Sequence, residues 1–215
     1  MIGLRLAFLL ALLALPACVA GGTYGVRVAD NRPVVKLGIL VPITDQSTSS
    51  PSSLGLEAQD GTECGAVDYS AGLVVTASHC ATTDHFALSD GRTAYLLRRG
   101  RLDGLSSDVA ITENDVALLL PSRSGPAAPI YRGSIVIDSV LLVVPPDEQP
   151  VACPLTERRG NALIMNCRVV SGWSGSPVYI SVSGHFRLVG LLSGYEDQRQ
   201  LSWAVHISAI DALLR

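Results

Sequence analysis

From Cys64 onward the chain is a succession of short β-branched and apolar runs broken by turn residues. Leu73-Val74-Val75-Thr76 is one run, Phe86 to Leu88 and Thr93 to Leu97 are two more, and Val116 to Leu120 is another. Between Leu88 and Thr93 stands Asp90-Gly91, a strong hairpin signal, because such turns favour residues that accept φ > 0. The pattern predicts an all-β chain of the sandwich or barrel kind. Pro121 to Pro129 contains three prolines and no periodicity, which marks a connector between two halves. The second half repeats the style, with strands predicted over Ser134 to Val144, Ala162 to Val170, Val178 to Val182, Arg187 to Leu192 and Trp203 to Ile207, and a turn at Ser183-Gly184. Only the tail departs from it. Ser208 and Asp211 have capping-box spacing, and Ala212-Leu213-Leu214 continues a short helix.

The N-terminal pattern is different. Arg5 precedes the apolar run Leu6 to Leu15, with small residues at Ala17, Cys18 and Ala20, and residues 1–20 read as a secretory signal peptide. The run is ten residues long, short of the ~20 a spanning helix requires. Two cleavage readings stand side by side: ordinary cleavage after Cys18-Val19-Ala20, or a lipoprotein box at Leu15-Pro16-Ala17-Cys18, in which acylation at Cys18 would anchor the chain to a membrane. Residues 21–60 read as a Ser- and Pro-containing arm or tether, with Pro33 to Leu40 as an edge-strand candidate. The two β halves then occupy 61–122 and 123–215.

Composition supports a folded core: 48% of the 215 residues are hydrophobic and 16% charged, and the mean hydropathy is +0.36. The net charge of −3 leaves no basic surplus for phosphates, which argues against a nucleic-acid partner. Five cysteines become four when Cys18 is removed or acylated. In an oxidising compartment the neighbours Cys64/Cys80 and Cys153/Cys167 would each close a modest loop; four buried thiols are the alternative.

Three segments carry chemistry when read together: Thr76-Ala77-Ser78-His79-Cys80, Asn114-Asp115-Val116-Ala117-Leu118-Leu119 and Gly172-Trp173-Ser174-Gly175-Ser176-Pro177. A hydroxyl becomes nucleophilic beside an imidazole that a carboxylate orients, and Ser174, His79 and Asp115 supply those groups. The glycines let backbone approach a substrate carbonyl, so the N–H groups of Gly172 and Ser174 are the candidate oxyanion donors. Asp108-Val109-Ala110-Ile111 imitates the Asp115 segment, but Asn114 and the apolar run after Asp115 favour Asp115, leaving Asp108 as a turn residue. His85, His185 and His206 read as structural. Cys64, His79, Cys80 and His85 lack zinc spacing, and no phosphate-cradling glycine loop is present, so no metal or cofactor is expected.

On these three segments the sequence resembles the trypsin-like (chymotrypsin-fold) serine proteases from about Gly61 to the C-terminus. The separation of Cys64 and Cys80 is like that of the family disulfide that pins the loop of the catalytic histidine, and Gly172 to Val178 looks most like the bacterial glutamyl-endopeptidase branch. The resemblance implies two antiparallel six-stranded barrels with a short C-terminal helix, His79 and Asp115 from the first barrel, Ser174 from the second, and a cleft between them. It also implies that Ser193 supports Asp115 and that Ser193, Gly194 and Tyr195 line the substrate groove. Arg168 falls at the pocket-floor position, where it would favour acidic side chains, or else faces solvent; Leu192 stands where the glutamyl enzymes carry histidine, and no cleavage preference is assigned. Trp173 replaces the Asp that pairs with a freed N-terminus in trypsin, so that activation route is not expected, and the indole should point away from the cleft. The function implied is an exported serine endopeptidase, periplasmic, secreted or lipid-anchored, acting on protein or peptide substrates through an acyl-enzyme. The alternatives are a catalytically inactive binding protein of the same fold and an envelope lipoprotein.

Overall fold

The computed structural model describes residues 51–70 and 72–215. The signal peptide, Cys18 and the Pro33 to Leu40 run lie outside the described residues. Strands β1 (Leu54–Ala58), β2 (Glu63–Ser70), β3 (Leu73–Thr76), β4 (His85–Leu88), β5 (Thr93–Arg99) and β6 (Ala117–Pro121) close a barrel in the order β1-β2-β3-β6-β5-β4. Strands β7 (Val140–Val143), β8 (Val151–Arg159), β9 (Ala162–Asn166), β10 (Pro177–Val182), β11 (His185–Glu196) and β12 (Leu201–His206) close a second, in the order β10-β11-β12-β9-β8-β7. All their pairings are antiparallel. Helix α1 (Asp108–Asn114) precedes β6 and α2 (Ile207–Leu213) follows β12. Among the described residues no helix is long and apolar enough to cross a membrane.

Alternation along the strands accounts for three apolar clusters. On β2, Cys64 and Ala66 face the first barrel's interior with Leu56, Val74 and Leu119. Val67 and Tyr69, one step out of phase, pack with Tyr179, Leu188, Leu191 and Ile210 between the barrels. On β11, Leu188 and Leu191 join that same cluster, whereas Val189 and Leu192 fill the second barrel with Leu155, Met165 and Trp173. β2 is therefore buried on both faces, which strict apolar/polar alternation does not reveal. The two expected disulfides, Cys64–Cys80 and Cys153–Cys167, are formed.

Several boundaries differ from the sequence reading. The first barrel begins at Leu54, inside the stretch assigned to the arm, since Leu54 to Glu57 pair with β2. Residues Ser134 to Ser139 are not strand: the chain turns at Asp138, whose φ is 69°, and only Val140–Val143 joins the sheet. β9 stops at Asn166, and Cys167 after it stays in the second barrel's core, bonded to Cys153 on β8. β8 has no prediction behind it, because Pro154 and the charged Glu157-Arg158-Arg159 obscure the buried alternation of Val151, Cys153 and Leu155. Asp108 opens α1, capped by the Ser107 hydroxyl, which accepts from the Ala110 N–H at 3.2 Å. The cap of α2 is His206 rather than Ser208: its Nδ1 accepts the Ser208 N–H at 3.2 Å. Asp211 turns away from the helix start to accept from Tyr69 Oη at 2.5 Å and from Arg132.

Candidate active site

His79 lies in a single 3-10 turn, Ser78–Cys80, directly after β3. Cys80 is tied to β2 by its disulfide, and the Ser78 hydroxyl donates to the Gly100 carbonyl at 2.8 Å. Arg99 donates to the Ala81 carbonyl at 2.6 Å, so the turn is held on three sides.

Asp115 is the C-cap of α1, with its own N–H donating to the Thr112 carbonyl at 3.2 Å. Its carboxylate is 1% exposed and accepts three hydrogen bonds. One comes from the His79 backbone N–H at 3.0 Å, one from His79 Nδ1 at 2.8 Å and one from the Ser193 hydroxyl at 2.6 Å. A buried carboxylate needs such partners. Nδ1–H is thereby fixed as donor, which leaves Nε2 of the neutral ring as the free acceptor. Desolvation pulls the His79 pKa down, but the Asp115 hydrogen bond and charge together outweigh it and hold the pKa above its ordinary 6.5.

Ser174 stands on the β9–β10 loop. Its carbonyl accepts the Gly65 N–H at 2.7 Å. Gly175, at φ 79°, presses against the Gly65 carbonyl and Thr76, three residues before His79. The loop of the second barrel is thus seated against the strands that lead to the His79 turn. Among the described residues the imidazole's hydrogen bonding is confined to Asp115.

In the same loop Trp173 N–H donates to Val170 O at 3.3 Å, Gly175 N–H to Leu192 O at 2.7 Å and Ser176 N–H to Trp173 O at 2.9 Å. Among the described residues the N–H groups of Gly172 and Ser174, which alternate with these, have no carbonyl partner. Gly172 has φ 88°, a conformation costly for any residue with a Cβ. The Trp173 residue is 8% exposed and packs in the second barrel's core, with one edge on the cavity that Glu148 and Gly172 also line. Its Nε1–H donates to Glu148 Oε1 at 2.9 Å. Beside this loop, Glu57, Cys64, Ser89, Pro146, Glu148 and Gly172 border a cavity of about 400 Å3.

These positions bear directly on the sequence-predicted residues. Asp108 is exposed on α1, whereas Asp115 is the aspartate bonded to His79. Arg168 is exposed beside Cys167. Ser193 to Tyr195 lie on β11, with a register irregularity between Leu192 and Gly194. His85 packs edge-on to Tyr95 at 4.7 Å and His206 caps α2. Among the described residues no group of His, Cys, Asp or Glu has a metal-binding arrangement. Sequence reasoning missed Glu148, which sits in a polar loop with no motif, and Gly65, whose role appears only through the contact across barrels.

No protein-family model matches the chain, and no curated protein does. Solved structures do. The inactive form of the Rv3671c protease aligns with a TM-score of 0.55 at 18% identity, over 76% of this chain and 87% of that one. The active form, from M. tuberculosis, aligns with a TM-score of 0.56 at 17% identity, over 76% and 79%. The serine protease of human pathogenic astrovirus aligns with a TM-score of 0.51 at 16% identity, over 74% and 91%. The chain has the chymotrypsin-like fold. Its structural neighbours are serine proteases, and at these identities the likeness is one of fold.

Proposed function

We propose that the protein is an exported serine endopeptidase in which Ser174 is the nucleophile, His79 the general base and Asp115 the residue that orients and charge-stabilises the imidazole. The observation that carries this reading is the buried Asp115 carboxylate, with His79 Nδ1 at 2.8 Å and the Ser193 hydroxyl at 2.6 Å. That arrangement fixes the tautomer a base requires. Nε2 takes the Ser174 proton as Oγ bonds to the scissile carbonyl carbon. The tetrahedral oxyanion accepts from Gly172 N–H and Ser174 N–H. His79 then delivers the proton to the leaving amine as the C–N bond breaks, and water hydrolyses the acyl-enzyme by the same route.

Ser193, Gly194 and Tyr195 are proposed to pair with the substrate backbone, with protein or peptide chains as the substrates. Arg168, exposed beside Cys167, gives no basis for an acidic preference, and the glutamyl-endopeptidase likeness rests on Gly172 to Val178 alone. Export is supported by the two disulfides, since such bonds persist in oxidising compartments; lipid attachment at Cys18 is the anchored form of the same proposal. The packing of Trp173 in the second barrel's core weighs against an indole that blocks the site, and so against the inactive binding protein.

Fluorophosphonate labelling of the purified protein, with peptide mass spectrometry, tests the assignment. The expected result is one adduct on Ser174 that is lost in Ser174→Ala. A folded protein that gives no adduct would overturn it.

A further inference from the structure

The oxyanion donors proposed above flank one buried side chain. In a trans peptide the C=O and N–H point in opposite directions. The Trp173 carbonyl accepts from Ser176 N–H at 2.9 Å, and this turns the Ser174 N–H outward. The Trp173 N–H, bound to Val170 O at 3.3 Å, holds the peptide that joins it to Gly172. The set of the Trp173 backbone therefore decides where the Ser174 N–H aims and anchors the residue that carries the Gly172 N–H.

The indole is an anchor for that backbone, with an apolar body in the second barrel's core and a single polar atom, Nε1–H, that can only donate. Its acceptor is Glu148 Oε1 at 2.9 Å, on the β7–β8 loop. The bond is part-buried and both residues line the same cavity, so without Glu148 the Nε1–H is left to water, and the indole loses the only polar tether that holds it, and residues 172 to 174 with it, in one place.

We propose that Glu148 is a positioning residue for the oxyanion hole, acting through the Trp173 indole, and that this contact between two loops of the second barrel holds the Gly172 and Ser174 N–H groups in the donating arrangement. The proposal rests on the reading of Ser174 as nucleophile. What the contact requires is an acceptor oxygen at position 148, not a charge, and Gln would supply it.

The test compares Glu148→Ala, Glu148→Gln and Trp173→Phe in the full mature chain, by peptide hydrolysis and by NMR of the Gly172 and Ser174 amides. For Glu148→Ala, kcat should fall about tenfold to a hundredfold with KM within about twofold, on the scale of a weakened oxyanion donor. The two amide resonances should move with it. Glu148→Gln should recover kcat to within about threefold of the parent and return both amides. In the Trp173→Phe background, which has no N–H to satisfy, Glu148→Ala should change nothing further. Unchanged kcat in Glu148→Ala overturns the proposal, as does a Gln variant as impaired as the Ala variant, which would assign the effect to charge. Should the parent protein not hydrolyse peptides, the failure belongs to the Ser174 reading and shows as an absent fluorophosphonate adduct. The amides of the three variants then still decide whether Glu148 sets the loop.

Discussion

Gly65 on β2 and Ser176 beside the proposed nucleophile are in contact across the two barrels: a Cβ added to Gly65 would lie 2.5 Å from Ser176 Oγ and 2.6 Å from its backbone N. The same glycine donates its N–H to the Ser174 carbonyl at 2.7 Å. Cys64, its neighbour, is bonded to Cys80 next to His79. One dipeptide thus ties the serine loop of the second barrel to the histidine turn of the first.

Gly65→Ala follows from that geometry. The obstacle is backbone, which cannot swing aside, so the Ser174 loop must move relative to His79. Overpacking of this kind costs about 1–3 kcal/mol of stability. Misplacing the reacting groups by an ångström lowers kcat/KM about a hundredfold. Thermal unfolding and fluorophosphonate labelling rates measure the two effects, and an Ala variant labelled at the parent rate would contradict this account of the loop.

Two histidines pull in opposite directions with pH. His79 acts as a base only when neutral, and its pKa is held above 6.5, so kcat/KM should climb with pH through a midpoint above 6.5. The Asp115 contact favours the imidazolium, so its stabilising contribution is complete below 6.5 and is lost as pH rises through the raised pKa. His206 is the reverse case. Burial, assisted by the charge of Arg158, pushes it down to about 4. Its neutral form contributes above 6.5, and that contribution is lost as pH falls from 6.5 towards about 4. Thermal unfolding followed across this range should show an acid-side decline that flattens in His206→Gln, while the kcat/KM midpoint of that variant stays in place. A decline that persists in His206→Gln would assign it to other groups.

Much of the candidate site was legible because its residues stand next to unambiguous local signals. His79 follows the run Leu73 to Thr76, Asp115 precedes Val116 to Leu120, and Ser174 lies in a glycine-flanked loop. The Asp90-Gly91 hairpin was visible for the same reason: Gly91 has φ 80° and joins β4 to β5. What stayed hidden depends on partners distant in sequence. β2 is buried on both faces and carries Asp68, so no alternation exposes it. Pro154 and three charged residues mask β8. Ser208 looked like a helix cap because only sequence spacing was in view, whereas in the fold its hydroxyl donates to Asn161 at 2.5 Å and His206 takes the cap. Glu148 has no local signal at all, since its importance comes from the indole that reaches it.

Asp68, the polar interruption in β2, also carries the last prediction. It is 7% exposed, and Arg92 is 3% exposed. The guanidinium meets the carboxylate through two bonds of 2.7 Å each, and its Nε donates to Asp90 at 2.6 Å. The connector between the barrels closes over this pair: Arg92 donates to the Arg123 carbonyl at 3.2 Å, Ala128 N–H donates to the Asp68 carbonyl at 2.8 Å, and Gly125 leaves no room for a Cβ beside either side chain. Arg92→Ala leaves the Asp68 carboxylate buried without its cation and should lose about 3–5 kcal/mol. Asp68→Ala leaves Arg92 still paired with Asp90 and should lose less, and replacing both by apolar residues of similar size should cost far less than Arg92→Ala. Denaturant unfolding of the singles and the apolar double separates the three cases. Because Gly125 and Ala128 belong to the connector, the singles should also loosen the seating of one barrel on the other. Hydrogen exchange at Ala128 N–H would report this, and an unchanged rate there would confine the pair's role to the first barrel.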